Sequence, residues 1–333
     1  MVGMRDYVAR KIVYLVITLF AIIAFNFFLF RVMPGDIANV IIPRGINEDV
    51  RIAIEKYFNL DKPMYVQFAI YLKQVFTLDF GVSATYRMGL PVNDVLGPKI
   101  INTVILVGIG TILAIYLGVI LGKTAGWNRG TMKDTVGMSF SLVFYSMPTF
   151  LFALILLMIF SGNLGWFPER GSVGQLPWHR VVQSEQELGL MNTLISRAYH
   201  LTLPVIAFTL EILAEFALIT RNSLTDVLTE DYITTARAKG LSNYAVLNDH
   251  AMRNAMLPVV TIVAISIGWV LGGTIMVEIV FSYDGLGLLT YDAVLAKDFP
   301  LLQVVFLIMA LGVLAANFVA DIVYFYLDPR VKV

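Results

Sequence analysis

Two glutamates, Glu211 and Glu215, interrupt a long apolar stretch of this sequence, where a carboxylate can bind a cation or exchange a proton. Because they are four residues apart on a predicted helix, both side chains project from the same face. An ionised carboxylate at the centre of a bilayer costs about 2.5–3.5 kcal/mol on insertion scales, so the pair is expected to face water or protein. Two interpretations stay open: a polar lining or proton site in a translocation path, and a structural pair bound by another helix or subunit.

Other classes of site have little support in the sequence. The absence of cysteine excludes disulfides, thiolate metal sites and cysteine nucleophiles, and the three histidines are scattered. Ser139 and Ser141 are candidates for an intramembrane enzyme, but no histidine or aspartate of the membrane segments is spaced to activate them. A formal net charge of zero argues against nucleic-acid binding, because a phosphate backbone is bound by an excess of basic residues.

The elements that carry these residues are membrane helices. Of the 333 residues, 58% are hydrophobic and only 14% are charged, whereas soluble proteins average about 25% charged residues. A helix that crosses a bilayer needs roughly 20 apolar residues. Six segments meet this length: Ile12 to Phe30, Ile100 to Gly122, Thr135 to Phe160, Leu201 to Thr220, Asn254 to Val277 and Phe299 to Ala320. The sequence therefore predicts an all-α polytopic membrane protein with six transmembrane helices.

The distribution of Lys and Arg predicts that both termini are cytoplasmic. Six crossings place the termini on one side, and short cytoplasmic loops carry the excess of basic residues. Twelve basic residues fall on the side of the termini and four in the shorter loops of the other side. The twelve are Arg5, Arg10, Lys11, Lys123, Arg129, Lys133, Arg221, Arg237, Lys239, Arg253, Arg330 and Lys332, and the four are Arg170, Arg180, Arg197 and Lys297.

The positions of the apolar segments divide the chain into three predicted parts. Residues 1–33 form the N-terminal tail and first transmembrane helix, residues 34–99 an extracytoplasmic segment, and residues 100–333 a core of five transmembrane helices with an inner loop at about 221–256. Glu48 to Leu60 and Met64 to Phe76 have helical apolar spacing, which predicts a small helical cap outside the membrane.

Two features within the helices predict packing rather than chemistry. Gly118 and Gly122, followed by Lys123 and Thr124, resemble a nucleotide-binding loop, but that loop requires four residues between its glycines and this chain has three. Small residues at this spacing let membrane helices approach closely, and Gly268 and Gly272 repeat it. Pro148 predicts a kink in the third helix, because proline lacks the N–H that an interior helical position needs.

The inner loop is the most informative segment. Residues 231–258 predict a short helix, a break at Gly240, an N-cap at Ser242 and a second helix that runs to Pro258 at the membrane. Such a rigid helical hairpin between two membrane helices suits a docking element for a cytoplasmic partner. A surface amphipathic hairpin with no partner is the alternative.

In this loop the chain resembles the permease subunits of ATP-binding cassette importers, specifically the peptide, opine and nickel permease family. The resemblance rests on Thr235-Ala-Arg-Ala-Lys-Gly-Leu, on His250-Ala-Met-Arg-Asn254, and on the long spacing from Gly240 to Pro258. It extends over nearly the whole chain, through Pro34-Gly35-Asp36, Leu60-Asp61-Lys62-Pro63, Asp79-Phe80-Gly81, Leu164-Gly165-Trp166-Phe167-Pro168, Glu278, Gly285-Leu286-Gly287, Asp298, Asn317, Asp321 and Asp328-Pro329-Arg330.

The resemblance implies a multi-pass subunit of the plasma or inner membrane that carries no cofactor and is not itself an enzyme. Its partners would be a paralogous second permease, two ATPase subunits that bind ATP and Mg, and an extracytoplasmic solute-binding protein. It assigns ATPase coupling to residues of the inner loop: Ala236, Gly240, His250, Arg253, Asn254 and Pro258.

More than one hypothesis stays open for the cargo and for the energy source. Import of dipeptides or oligopeptides is the first hypothesis, and oligosaccharides and nickel are carried by the same branch of the family. Nickel is the weakest of these, because the membrane helices contain almost no imidazole or thiolate ligands. A self-contained ion-coupled transporter, with Glu211 and Glu215 as its proton site, is an alternative of a different class.

Overall fold

The computed structural model describes residues 4–32, 48–179, 185–268 and 274–327, and within these ranges the chain is helical with no β-strand. The N-terminal half contains α1 (Met4–Val32), α2 (Glu48–Tyr57), α3 (Met64–Thr77), α4 (Val92–Trp127), α5 (Met132–Ser146) and α6 (Thr149–Leu156), which continues as a π-helical stretch (Leu157–Asn163). The C-terminal half contains α7 (Glu185–Val227), α8 (Asp231–Ala238), α9 (Asn243–Ala245), a π-helical stretch (Val246–Ala251), α10 (Met252–Gly268), α11 (Ile275–Val280), α12 (Leu286–Leu295) and α13 (Phe299–Leu327).

Within the described residues, four helices are long and apolar enough to cross a membrane, and a bent pair makes a fifth. The four are Ala9–Arg31, Val92–Trp127, Glu187–Val227 and Phe299–Asp321. The fifth predicted segment, Asn254 to Val277, corresponds to α10 and the start of α11, and its residues 269–273 lie outside the described part. The all-helical polytopic class is confirmed with four or five candidate spans, whereas the predicted number of six crossings stays a prediction.

The third predicted helix consists of two helices that meet at a break. Helix α5 ends at Ser146, Met147 takes an extended conformation (φ −84°, ψ 130°), and α6 starts after Pro148. A residue that precedes proline is driven out of the helical region by the proline ring, which explains the break. The helices Met132–Ser146 and Thr149–Asn163 meet at 101°, so the predicted kink is a sharp turn of the chain.

The spaced glycines of α4 allow it to pack closely on α7. A Cβ atom added to Gly118 would lie 2.7 Å from Cβ of Phe216 and 2.8 Å from the carbonyl oxygen of Leu213. One added to Gly122 would lie 2.7 Å from Cβ of Thr220. The helix-packing interpretation of these glycines is therefore confirmed, while Gly272 of the second pair lies outside the described residues.

A buried carboxylate explains a second glycine motif. Glu278 is fully buried, and its oxygens accept hydrogen bonds from Thr103 Oγ1 at 2.8 Å and from the backbone N–H of Leu288 at 3.0 Å. A Cβ on Gly285 would lie 2.5 Å from Thr103 Oγ1, and one on Gly287 would lie 3.0 Å from Glu278 Oε2. The absence of side chains at both positions thus lets this carboxylate connect α4, α11 and α12.

Residues 48–91, here named the cap segment, contain the two predicted helices, α2 and α3. Helix α3 packs on α1, where Tyr71 donates a 3.1 Å hydrogen bond to Asn26 Oδ1. At the other end of α1, the Lys11 ammonium lies 2.6 Å from the Asp321 carboxylate of α13. These contacts fix α1 between the cap segment and the last helix.

Asp298, directly before α13, holds the end of the cap segment. Its carboxylate is fully buried and accepts hydrogen bonds from Ser83 Oγ and from the backbone N–H groups of Thr85, Tyr86 and Leu301. Burial by itself raises the pKa of this carboxyl, but the hydrogen bonds outweigh burial and lower the pKa of Asp298 below its ordinary value. The ionised form is therefore part of the fold.

Candidate functional site

Residues 231–258, here named the hairpin, have the break and the helix cap that the sequence predicts, but not the predicted end of the second helix. Helix α8 ends at Ala238, and the chain reverses at Gly240, whose φ of +77° is in the left-handed region that favours glycine. The Ser242 hydroxyl oxygen accepts a 3.2 Å hydrogen bond from the N–H of Ala245 and so caps the next helix. The predicted break and the predicted N-cap are both confirmed.

One face of the hairpin is fixed to the ends of α4 and α7 by an apolar cluster. Its buried members are Leu224, Ile233, Ala236, Val246, Ala251, Met252 and Ala255. Two polar contacts lie beside it: Lys123 Nζ donates to Asn248 Oδ1 at 2.6 Å, and the Arg237 guanidinium carbon lies 5.9 Å from the centroid of the Trp127 ring. Because the hairpin packs on two long helices at once, a displacement of the hairpin would also displace those helices.

The opposite face of the hairpin exposes aromatic and apolar side chains. Tyr244 is 75% exposed, Leu241 40% and Tyr232 38%. Tyr232 accepts a 2.7 Å hydrogen bond from Asn254 Nδ2 through its hydroxyl oxygen, which connects the two arms of the hairpin. An exposed aromatic group on a rigid support, with Arg253 also exposed, is the composition expected of a protein-binding surface.

The six residues assigned to coupling by resemblance do not occupy one kind of position. Ala236 is buried in the apolar cluster, and His250 is half-buried in the π-helical stretch. The remaining four are exposed: Gly240, Arg253, Asn254 and Pro258. Pro258 does not end the second helix as predicted, because it lies inside α10, which continues to Gly268.

An ion pair near the hairpin was not predicted from the sequence. Asp134, in the first turn of α5, accepts hydrogen bonds from Arg221 Nε at 3.1 Å and Arg221 Nη2 at 2.9 Å. The N–H of Gly130 donates to the same carboxylate at 3.0 Å. A bidentate pair of this kind fixes both distance and orientation, here between α5 and the end of α7. No local pattern reveals it, since its partners are 87 residues apart.

The two glutamates of α7 lie in different surroundings. Glu211 is half-buried and interacts with the Thr149 hydroxyl at the start of α6, beside the sharp turn of the chain. Glu215, one helical turn further, is exposed on this single chain. An exposed carboxylate in the middle of an apolar helix requires water or a protein neighbour.

The described part of the chain does not support a serine enzyme site or a metal site. Ser141 donates a 3.0 Å hydrogen bond to the Gly137 carbonyl of its own helix, as an unreactive helical serine does. No group of three or more potential metal ligands occurs among the described residues.

Comparison with known protein families identifies the family of this chain. Residues 100–333 match the family described as binding-protein-dependent transport system inner membrane component, and residues 4–87 match the N-terminal family of the same transport systems. The chain belongs to this permease family. As a permease, it is a multi-pass component of an ATP-binding cassette importer with other subunits, and such a subunit is not the catalytic part of the transporter.

Individual relatives match over the full length of the permease. It is 34% identical to an oligopeptide transport system permease protein of Bacillus subtilis, over 99% of this chain and 100% of that one. It is 33% identical to a glutathione transport system permease protein of Salmonella choleraesuis, over 99% of both chains. It is 34% identical to a di/tripeptide transport system permease protein of Pseudomonas aeruginosa, again over 99% of both.

A solved structure supports the same fold. A chain of the MetNI methionine transporter, in an inward-facing conformation, superposes with a TM-score of 0.54 at 14% identity and covers 70% of the permease and 96% of its own length. At this identity the likeness concerns the fold.

Proposed function

We propose that this permease is one of two membrane subunits of an ATP-driven importer of dipeptides or oligopeptides. The observation that carries the proposal is full-length similarity, at 33–34% identity, to permeases named for oligopeptides, glutathione and di- or tripeptides. In this proposal a paralogous permease completes the translocation path, a solute-binding protein delivers the peptide from outside, and two ATPase subunits bind ATP and Mg.

The hairpin is the proposed docking site of an ATPase subunit. It combines an outward face that exposes Tyr244 with an inward face packed on α4 and α7. Closure of the ATPases around ATP would push on the outward face, and the packed face would transmit the movement to the membrane helices. This coupling requires that the ATPase contacts differ between two states of the transporter. The proposal places both termini in the cytoplasm, on the side of the hairpin, and residues 34–99 outside.

The proposed path passes Glu211 and Glu215 at the contact with the second permease. The half-buried position of Glu211 beside the turn at Pro148, and the exposure of Glu215 on the single chain, support a polar face that another subunit completes. A carboxylate in such a path would attract the amino terminus of a peptide. It would also accept hydrogen bonds from sugar hydroxyls, so an oligosaccharide cargo is the second candidate.

The assembly is tested by isolating the tagged permease from its native membrane, identifying the proteins that copurify and measuring their ATP hydrolysis. We expect a second permease and ATP-hydrolysing subunits. The purified assembly, reconstituted with its binding protein, is then supplied with labelled peptides and labelled oligosaccharides. Uptake of the oligosaccharide but not of the peptide would mean that the cargo is an oligosaccharide. Transport by the isolated chain without ATP, driven by a pH gradient, would contradict the proposal and favour the ion-coupled alternative.

The role of the glutamate pair is tested by replacing both residues, Glu211→Gln and Glu215→Gln. If the pair lines the path, uptake falls while the amount of assembled transporter stays the same. A matched control is Glu55→Gln in α2, which changes a carboxylate far from α7 in the sequence. Unchanged uptake by a normally assembled double variant would count against the path.

A further inference from the structure

A cavity of about 220 Å³ lies where the cap segment meets the ends of α1 and α13. Its walls contain six aromatic residues and four side-chain amides, together with aliphatic groups. Arg31 is the single charged residue among the described residues that line it. This volume is too large for one ordered water molecule, and it is enough for a small polar group with part of an apolar chain.

Three polar atoms at this cavity are buried without a hydrogen-bond partner. They are Arg31 Nε, Gln67 Oε1 and Gln303 Nε2, of which the last has only a loose contact with the Tyr71 hydroxyl; one further side-chain atom of the described residues is in the same condition. A buried donor or acceptor without a partner carries its full desolvation penalty. Three such atoms at one cavity therefore indicate a ligand that supplies their partners.

The neighbours of these groups define what each can still bind. Gln67 Nε2 already donates to the carbonyl of Lys62 at 2.8 Å, which leaves its oxygen as the free acceptor. The Arg31 guanidinium carbon lies 5.5 Å from the centroid of the Phe27 ring, a contact that positions the cation and provides no negative charge. No carboxylate of the described residues lines the cavity, so these residues do not neutralise the positive charge of Arg31 there.

The complementary ligand is an oxyanion that carries a hydroxyl or amine. Phosphate oxygens would accept hydrogen bonds from the Arg31 guanidinium and the Gln303 amide, since guanidinium binds phosphate strongly. A hydroxyl or ammonium group beside the phosphate would donate to Gln67 Oε1. The aromatic and aliphatic walls would contact the uncharged remainder of the ligand.

The position of Arg31 indicates the source of that phosphate. Arg31 is the last residue of the first membrane span, and nearby residues of α1 expose large apolar side chains, including Phe25 (69%) and Phe28 (46%). Phospholipid head groups are therefore the phosphate most concentrated at this depth. We propose that the cavity binds the phosphate of a phospholipid head group, with Arg31, Gln303 and Gln67 as its ligands; free phosphate is the other source of the same chemistry.

The test measures the thermal midpoint Tm of the purified, delipidated transporter while a short-chain phosphatidylglycerol is added. We expect the lipid to raise Tm, and Arg31→Gln to weaken the apparent affinity by about tenfold, because a charge-assisted pair is lost. Arg10→Gln, at the other end of the same helix, is the matched control and is expected to bind as the parent does. In a parallel titration, a rise in Tm with inorganic phosphate alone, abolished by Arg31→Gln, would identify free phosphate as the source.

A second variant covers the case in which Arg31→Gln does not fold. Gln303→Leu removes a buried amide nitrogen that has only a loose contact with the Tyr71 hydroxyl, so the Tm of the delipidated variant should stay close to that of the parent. Its Tm should nevertheless respond more weakly to the lipid. Equal lipid responses in the parent, Arg31→Gln and Gln303→Leu, or no response to either lipid or phosphate in the parent, would overturn the proposal.

Discussion

The hairpin and the cap segment are attached to the membrane helices in different ways. The hairpin is fixed on one side by an apolar cluster, and its other side exposes Tyr244 and Leu241. The end of the cap segment is held by polar contacts: the buried Asp298 carboxylate accepts three hydrogen bonds from it, and the Thr85 hydroxyl donates to the Ala296 carbonyl at 2.7 Å. The cap segment is thus anchored within the chain itself, whereas one side of the hairpin stays exposed, as the proposed docking site requires.

The largest expected effect concerns the anchor of the cap segment. Asp298→Ala leaves Ser83 and two backbone N–H groups without their buried acceptor, which should cost about 3–5 kcal/mol of local stability. Hydrogen exchange at the amides of Thr85 and Tyr86 measures this directly, and both should exchange much faster in the variant. Asp94→Ala, which removes an exposed carboxylate, is the control. Protection unchanged by Asp298→Ala would mean that the cap segment is held in another way.

A smaller effect is expected from strain in the hairpin, with a specific consequence for transport. Gly240→Val places a β-branched residue at φ +77°, which costs roughly 1–2 kcal/mol. If the hairpin couples the ATPases to the membrane helices, ATP hydrolysis should continue while uptake is lost, and both are measured on the reconstituted assembly.

Gly89→Val is the matched control for that experiment. Gly89 has φ +82°, and, like Gly240, it has no atom within 4 Å of an added Cβ, but it lies in the cap segment. The same backbone strain there should leave hydrolysis and uptake coupled. Full coupling in Gly240→Val would contradict the role of the hairpin, and equal uncoupling in both variants would assign the effect to strain alone.

The smallest effect is a pH dependence confined to the cap segment. Because the folded pKa of Asp298 is lowered, its contribution to stability is complete above the unfolded pKa of about 3.9 and is lost as pH falls through the folded value. Exchange protection at Thr85, corrected for the intrinsic pH dependence of exchange, should be constant from neutral pH down to about 5 and decline only below about 4. Asp298→Asn should abolish that decline. A loss of protection between neutral pH and about 6 would require a different titrating group.

Local signals explain which features could be predicted. The break at Gly240 and the cap at Ser242 follow from residues within a few positions of each other, and the structure contains both. The lengths of the apolar segments likewise predict α1, α4, α7 and α13, because the bilayer sets the length that a spanning helix needs.

Features that depend on distant parts of the chain could not be predicted. Ser83 and Asp298 are 215 residues apart, and neither has a local pattern that indicates the other. Pro148 predicts a kink in the third helix, but no local pattern predicts its angle of 101°. Pro258 was predicted to end a helix, yet α10 continues through it to Gly268. A membrane helix can tolerate an interior proline because its neighbours satisfy the freed backbone groups.

Single-cysteine cross-linking tests whether the hairpin docks an ATPase subunit, and the chain suits it because it contains no cysteine. Tyr244→Cys on the hairpin and Tyr65→Cys on the cap segment replace tyrosines that are 75% and 76% exposed. Each variant is treated in the native membrane with a short bifunctional reagent. Cross-linking of an ATP-hydrolysing subunit through position 244, and not through position 65, is the result expected of a docking surface. Cross-linking of that subunit through position 65, or labelling of position 244 by an impermeant reagent applied outside the cell, would contradict the account.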